Sequence, residues 1–187
     1  KASPKANGKS FCVADVFRPP RSETSAEAQE LIRMVEKGDV NGLKKKLGAN
    51  PEPFRIPGYV QVIEKAAELG KIDMIEALIH AGKVVPGLEK AALIAEFSGH
   101  PKVCDKIIQL GGLAKNCLEM YCRWFKEDVT EEGVQFFVNL VKRFDIDEKV
   151  DVLLSAYDSP VVFKVLLNLP EFVLNDDEKK RLMQEVV

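Results

Sequence analysis

The side chains able to perform chemistry are few and scattered along the chain. The histidines and cysteines are His80, His100, Cys12, Cys104, Cys117 and Cys122. Zinc sites and thiol nucleophiles need these residue types at short, regular spacings or beside a partner base, and no such grouping is present. The sequence also contains no glycine-rich phosphate-binding loop. We therefore predict no catalytic residue, no metal site and no cofactor, and we expect the chain not to be an enzyme.

Two charged runs are explained by structure rather than by chemistry. Asp176-Asp177-Glu178 stands at a predicted helix start, where carboxylates complement the helix dipole. Lys44-Lys45-Lys46 lies on a short predicted helix, and no aromatic residue alternates with it as in single-strand-binding surfaces. The chain has 27 Lys and Arg against 29 Asp and Glu, a net charge of −2. This balance argues against nucleic acid as a partner, because phosphate binding depends on clustered positive charge.

The composition is that of an ordinary globular protein, with 187 residues of which 46% are hydrophobic and 30% charged. No apolar stretch approaches the roughly 20 residues of a membrane-spanning helix. Scattered cysteines of this kind are typical of reduced, buried thiols. We therefore expect an intracellular protein in a reducing compartment, the cytoplasm, that does not enter a membrane. The first residue is Lys1 rather than Met, which predicts a cut or processed chain.

Two regions differ in composition. Residues 1–25 are basic and contain Pro4, Pro19 and Pro20, so we predict a flexible tail. Within it, residues 11–17 are apolar enough to pack on the body as an extended segment. Residues 26–187 form the predicted domain, which ends in a capping helix.

Apolar spacing after Ser25 predicts pairs of helices, several of which end at glycine. The predicted pairs are 25–37 with 40–47, 58–69 with 71–81, 88–98 with 101–110, 113–126 with 131–144, and 149–157 with 160–169, followed by a final helix at 176–187.

The helix pairs repeat a pattern. In the second to fifth pairs, the residue between the two helices is followed by apolar residues 4, 5, 8 and 9 positions later. These anchor residues are Gly38, Gly70, Gly99, Glu132 and Asp158, and the first gives a weaker version of the pattern. One stripe of each second helix is thus predicted to pack against a neighbouring pair. The predicted core includes Ile75, Leu78, Cys104, Ile107, Phe137, Leu140, Phe163 and Leu166.

The pattern resembles the ankyrin repeat. Gly99-His100-x-x-Val103-Cys104-x-x-Ile107-Ile108-x-x-Gly111-Gly112 is similar to the second-helix pattern of that family, and the stretch from Gly70 to Gly82 is nearly as close. The Thr-Pro-Leu-His motif that begins the first helix in the ankyrin family is absent from every repeat. In the second repeat its place is taken by Gln61-Val62-Ile63-Glu64. The resemblance covers about 26–170 and implies an all-α solenoid of about five repeats. A generic helical-hairpin solenoid is the alternative fold.

The resemblance implies a protein-interaction module that binds a partner protein on its concave face. In ankyrin repeats the two residues before the anchor lie exposed on that face. The residues so implied, with less regular positions in the last two repeats, are Glu36, Lys37, Glu68, Leu69, Phe97, Ser98, Tyr121, Arg123, Trp124, Ala156 and Tyr157. The competing interpretation places Phe97 and Trp124 in the core between repeats.

A second function also fits the sequence. The stack could position a substrate for a catalytic domain that lies outside this chain. Degenerate ankyrin stacks are also similar to those of bacterial effectors, in which case the compartment would be the host cytosol or nucleus. The identity of the partner does not follow from the residues.

Overall fold

The computed structural model describes residues 24–82, 87–111, 113–124, 131–143 and 149–186. Within these ranges the chain is all-α, with eleven α-helices, two 3-10 turns and no strand. The helices are α1 (Ala26–Lys37), α2 (Val40–Gly48), α3 (Tyr59–Glu68), α4 (Ile72–Gly82), α5 (Leu88–Phe97), α6 (Pro101–Gly111), α7 (Ala114–Trp124), α8 (Glu131–Arg143), α9 (Lys149–Ser155), α10 (Pro160–Asn168) and α11 (Asp176–Val186). The predicted all-α class is confirmed. Residues 1–23, which include most of the predicted tail and its apolar segment, lie outside the described residues.

The first helix pair shows how local sequence fixes the helix ends. The Ser25 hydroxyl accepts a hydrogen bond from the Ala28 amide at 3.2 Å and begins α1. Gly38 ends α1 with a positive φ of 75°. Asp39 then begins α2 by accepting a hydrogen bond from the Gly42 amide at 2.8 Å. A two-residue turn therefore joins α1 and α2.

The helices pack in two rows. In the odd row, α1 packs on α3, α3 on α5, α5 on α7, α7 on α9 and α9 on α11. In the even row, α2 packs on α4, α4 on α6 and α8 on α10. The helices of each of the first four pairs also pack on each other. Most of the packing therefore joins elements close together in the sequence.

The apolar stripe identified from the sequence forms the core. Of the eight residues predicted to form it, Ile75, Leu78, Cys104, Ile107, Phe137, Leu140 and Leu166 are buried, and Phe163 is half buried against the core. Small side chains on the odd helices are also buried, namely Ala66, Ala67, Ala91, Ala92 and Ala95. Alanine at these positions lets α3 and α5 approach their neighbours closely.

The two 3-10 turns, Pro53–Arg55 and Pro170–Phe172, were not predicted. Each is three residues long and starts with proline, so neither is long enough to show an apolar period. Pro53 and Phe172 are both buried. The first turn packs on α3 and α4, and the second packs on α8 and α10.

Candidate partner-binding surface

The described turns between paired helices, those of α1–α2, α3–α4, α5–α6 and α9–α10, lie along one edge of the molecule. Odd helices pack on odd helices and even helices on even ones, so the turns that connect the two rows follow one another. We call this surface the turn edge. It comprises the exposed residues Lys37, Leu69, Ile72, Ser98, Pro101, Tyr157 and Val161.

A contact between Gly70 and His100 joins two neighbouring turns. Gly70 has a φ of 68°, and a β-carbon built on it would lie 2.7 Å from His100 Nδ1. The imidazole therefore lies directly against the Gly70 backbone. Because Gly70 has no side chain, it leaves room for the imidazole of His100, which lies at the next turn.

Apolar side chains are exposed on both sides of the turns. Leu69 and Ile72 flank the α3–α4 turn and are 37% exposed each. Tyr157 and Val161 flank the α9–α10 turn and are 55% and 52% exposed. The Tyr157 ring is oriented by an edge-to-face contact with Phe163, with ring centroids 6.3 Å apart. Leu69 and Tyr157 thus occupy the same place relative to their anchors at two distant points of the turn edge.

Six of the residues implied by the ankyrin resemblance have exposed side chains. These are Glu36, Lys37, Glu68, Leu69, Ser98 and Tyr157. They stand at the ends of α1, α3 and α5 and just after α9. Arg123 and Trp124 belong to α7, but their side chains lie outside the described part of the structure.

Three of the implied residues are wrong as surface positions. Tyr121 and Ala156 are fully buried, and Phe97 is half buried against the core. Phe97 stacks on Tyr121 at 6.5 Å, and Tyr121 contacts Phe137 at 5.0 Å between ring centroids. We call these three rings the aromatic column. The interpretation that placed Phe97 in the core is therefore the better one.

The register of α7 explains the error. Its buried residues are Cys117, Leu118, Tyr121 and Cys122, a spacing that places one face of the helix inward. Removal of Tyr121 from water raises the pKa of its hydroxyl above the ordinary value. The apolar spacing of α7 alone predicts this buried face. The error arose because the fourth repeat has no anchor glycine from which to count positions.

Ile72 and Val161 were missed as surface residues. They lie two and three positions after their anchors, so they fall outside the apolar stripe at positions 4, 5, 8 and 9. Their apolar side chains at positions outside the stripe could have predicted exposed apolar residues from the sequence.

Ion pairs connect the helices within each row. Glu64 of α3 pairs with Lys90 of α5 at 3.0 Å, and Glu76 of α4 pairs with Lys106 of α6 at 2.6 Å. The hydrogen bond from Lys106 holds the pKa of Glu76 below its usual value. Part of the charge on the helix faces is thus used between neighbouring helices.

The described residues offer little reactive chemistry. Cys104, Cys117 and Cys122 are buried, and burial raises the pKa of the Cys117 thiol to about 12, with Glu89 contributing. Such a thiol stays protonated at neutral pH and is a poor nucleophile. No three His, Cys, Asp or Glu side chains in the described ranges come together as metal ligands would. None of the described helices has the length and apolar composition needed to cross a membrane.

No family model, curated protein or solved structure matches this chain. The ankyrin resemblance therefore depends on the residues quoted above.

Proposed function

We propose that this chain is an ankyrin-like helical solenoid that binds a partner protein through the turn edge. The observation that carries the proposal is the exposure of large apolar side chains at equivalent positions of separate turns. Leu69 and Tyr157 both directly precede an anchor residue, and both have more than a third of their surface exposed.

The packing of the helices supports the solenoid. In each of the first four pairs, the two helices pack on each other. Each of these pairs also packs on the next pair through the odd row, the even row or both. Stacks of this kind present an extended surface made from equivalent positions of successive repeats. The turn edge is such a surface, because each of its residues lies in a turn or within two residues of one.

The side chains of the turn edge fit a protein partner. Interfaces combine apolar and aromatic anchors with a polar rim. Leu69, Ile72, Tyr157 and Val161 supply the anchors. The exposed charged residues Glu36, Lys37 and Glu68 stand at the ends of α1 and α3, which lead into the first two turns. We expect the partner to contribute apolar side chains that cover Leu69 and Tyr157.

The test is a double variant, Leu69→Glu with Tyr157→Glu, used as bait in a pull-down from cell extract with quantitative mass spectrometry. Both side chains are exposed, so the variant should keep the circular dichroism spectrum and unfolding midpoint of the wild type. A partner retained by the wild-type chain should be depleted on the variant by at least about tenfold, because buried hot-spot contacts contribute about 2 kcal/mol or more.

Phe54→Glu is the matched control. Phe54 is 39% exposed and lies in the α2–α3 connection, at the opposite ends of the helices from the turn edge. The control should retain the partner. Equal retention by the double variant and the wild type, or loss by the control alone, would contradict the proposal.

A further inference from the structure

The junction between the third and fourth helix pairs differs from the junctions on either side of it. The first pair packs on the second, and the second on the third, through both rows. The fourth pair also packs on the fifth through both rows. Between the third and fourth pairs α5 packs on α7, but no packing of this extent joins α6 to α8 among the described residues. The even row is therefore interrupted at one place in a stack whose odd row is continuous.

The contacts that cross this junction lie along α5 and α7. Near the start of α5, the carbonyl oxygen of Glu89 accepts a hydrogen bond from the Cys117 thiol of α7 at 3.9 Å. At the end of α5, the Phe97 ring stacks on the Tyr121 ring of α7, with centroids 6.5 Å apart. Later residues of α5 meet later residues of α7, so the two helices run in the same direction. We call this row of contacts, which follows the helix axes, the α5–α7 line.

The helices on each side of the junction are connected more fully. We call α1–α6 the first block and α7–α11 the second block. In the first block, the ion pair of Glu76 with Lys106 joins α4 to α6 on the even side, away from the α5–α7 line. In the second block, the ion pair of Lys115 with Asp151 joins α7 to α9, and α8 packs on both α7 and α10. Each block thus has packing within its pairs and between them, and we expect each to move as one body.

We infer that the junction between the third and fourth pairs is a hinge, at which the two blocks rotate about the α5–α7 line while the space between α6 and α8 opens and closes. Contacts arranged along one line allow rotation about that line and resist separation of the two bodies. Such rotation of packed bodies is an ordinary way for a protein to change shape. At the other junctions, packing in the second row blocks the same rotation.

The hinge acts on the shape of the turn edge. Leu69 belongs to the first block, and Tyr157 belongs to the second. Rotation about the α5–α7 line changes the distance between these two side chains, and with it the curvature of the turn edge. A partner that covers both of them selects one angle from those that the free chain adopts. The rotation itself needs no partner, so its test uses the free chain.

The even helices offer matched positions for spin labels. Four exposed residues stand at the ninth position of successive even helices, namely His80, Gln109, Asn139 and Asn168. Three chains would each carry two cysteine substitutions, at positions 80 and 109, 109 and 139, or 139 and 168. Cys12 is replaced by serine in all of them, and the other native cysteines are buried and should stay unlabelled. Double electron–electron resonance then gives the distribution of distances for each pair of labels.

The pair at positions 109 and 139 spans the junction, whereas each of the other pairs lies within one block. Its distance distribution should be at least about twice as broad as the other two, because only this pair reports the rotation. A distribution at 109 and 139 as narrow as the others would overturn the hinge. Equal breadth at all three pairs would also overturn it, since the motion would then belong to every junction.

A second variant tests the α5–α7 line. Phe97→Leu removes the ring stack with Tyr121 but keeps an apolar side chain, and it should broaden the distribution at positions 109 and 139 further. The pair at positions 80 and 109 should be unaffected. Phe54→Leu is the matched control, because Phe54 is exposed and lies in the first block far from the junction. An unchanged distribution in Phe97→Leu, or the same broadening in Phe54→Leu, would contradict rotation about this line.

Discussion

At the scale of single residues, the contact between Gly70 and His100 connects two neighbouring turns. Gly38, Gly70 and Gly99 all have positive φ, but a β-carbon on Gly38 or Gly99 would meet no other atom within 4 Å. On Gly70 it would meet the His100 ring at 2.7 Å. All three glycines therefore allow the positive φ that the turn requires. Of the three, only Gly70 also makes room for a neighbouring side chain.

This difference predicts unequal costs for the same substitution. Gly99→Ala should lower the free energy of unfolding by about 1 kcal/mol, the cost of a left-handed backbone with a β-carbon. Gly70→Ala should cost about 1–3 kcal/mol more, because the His100 ring must move out of its packed position. Urea denaturation of both variants measures the difference. His100→Ala combined with Gly70→Ala should recover part of the loss, and equal costs at the two glycines would show that the ring contact is unimportant.

At the scale of elements, two tyrosines that were both predicted on the binding surface lie in different environments. Tyr121 lies at the centre of the aromatic column between α5 and α8, whereas Tyr157 lies after α9 with most of its surface in water. The same residue type thus belongs to the core in one repeat and to the surface in another.

Alanine at the two positions should therefore have very different effects on stability. Tyr121→Ala removes a fully buried ring and should cost about 3–5 kcal/mol, as other large aromatic truncations do. Tyr157→Ala removes an exposed ring with one edge-to-face contact to Phe163 and should cost about 1 kcal/mol or less. Thermal or urea unfolding compares the two variants with the wild type. A comparable loss of stability in both variants would show that the Tyr157 side chain is buried in solution rather than exposed.

The helices could be predicted from sequence because each carries an independent local signal. The glycine ends of α1 and α5, the proline start of α6 and the apolar stripes of α4 and α6 all lie within a few residues. The surface could be predicted only in part. Leu69 and Tyr157 follow the repeat register, but the burial of Tyr121 depends on Phe97 and Phe137 from other helices. A contact between separate elements leaves no fixed spacing in the sequence.

At the scale of the whole molecule, the helix rows place the described turns along one edge and α11 at one end. The core is continuous from Leu31 of α1 to Leu166 of α10, with contributions from every pair. Packing of these buried side chains fixes the relative positions of the helices within each block and therefore of the turns that join them. The exposed apolar side chains at the turns contribute little to the core. Their exposure is the observation from which the proposed binding function is argued.

Site-directed photo-crosslinking is the most direct test of the turn edge as a binding surface. Benzoylphenylalanine would replace Tyr157, Leu69 or Phe54 in three otherwise wild-type chains, which are then irradiated in cells and analysed by mass spectrometry. The account predicts a covalent adduct with the same partner protein from positions 157 and 69, and none with that protein from position 54. An adduct formed from position 54 alone, or no adduct from either turn position, would contradict it.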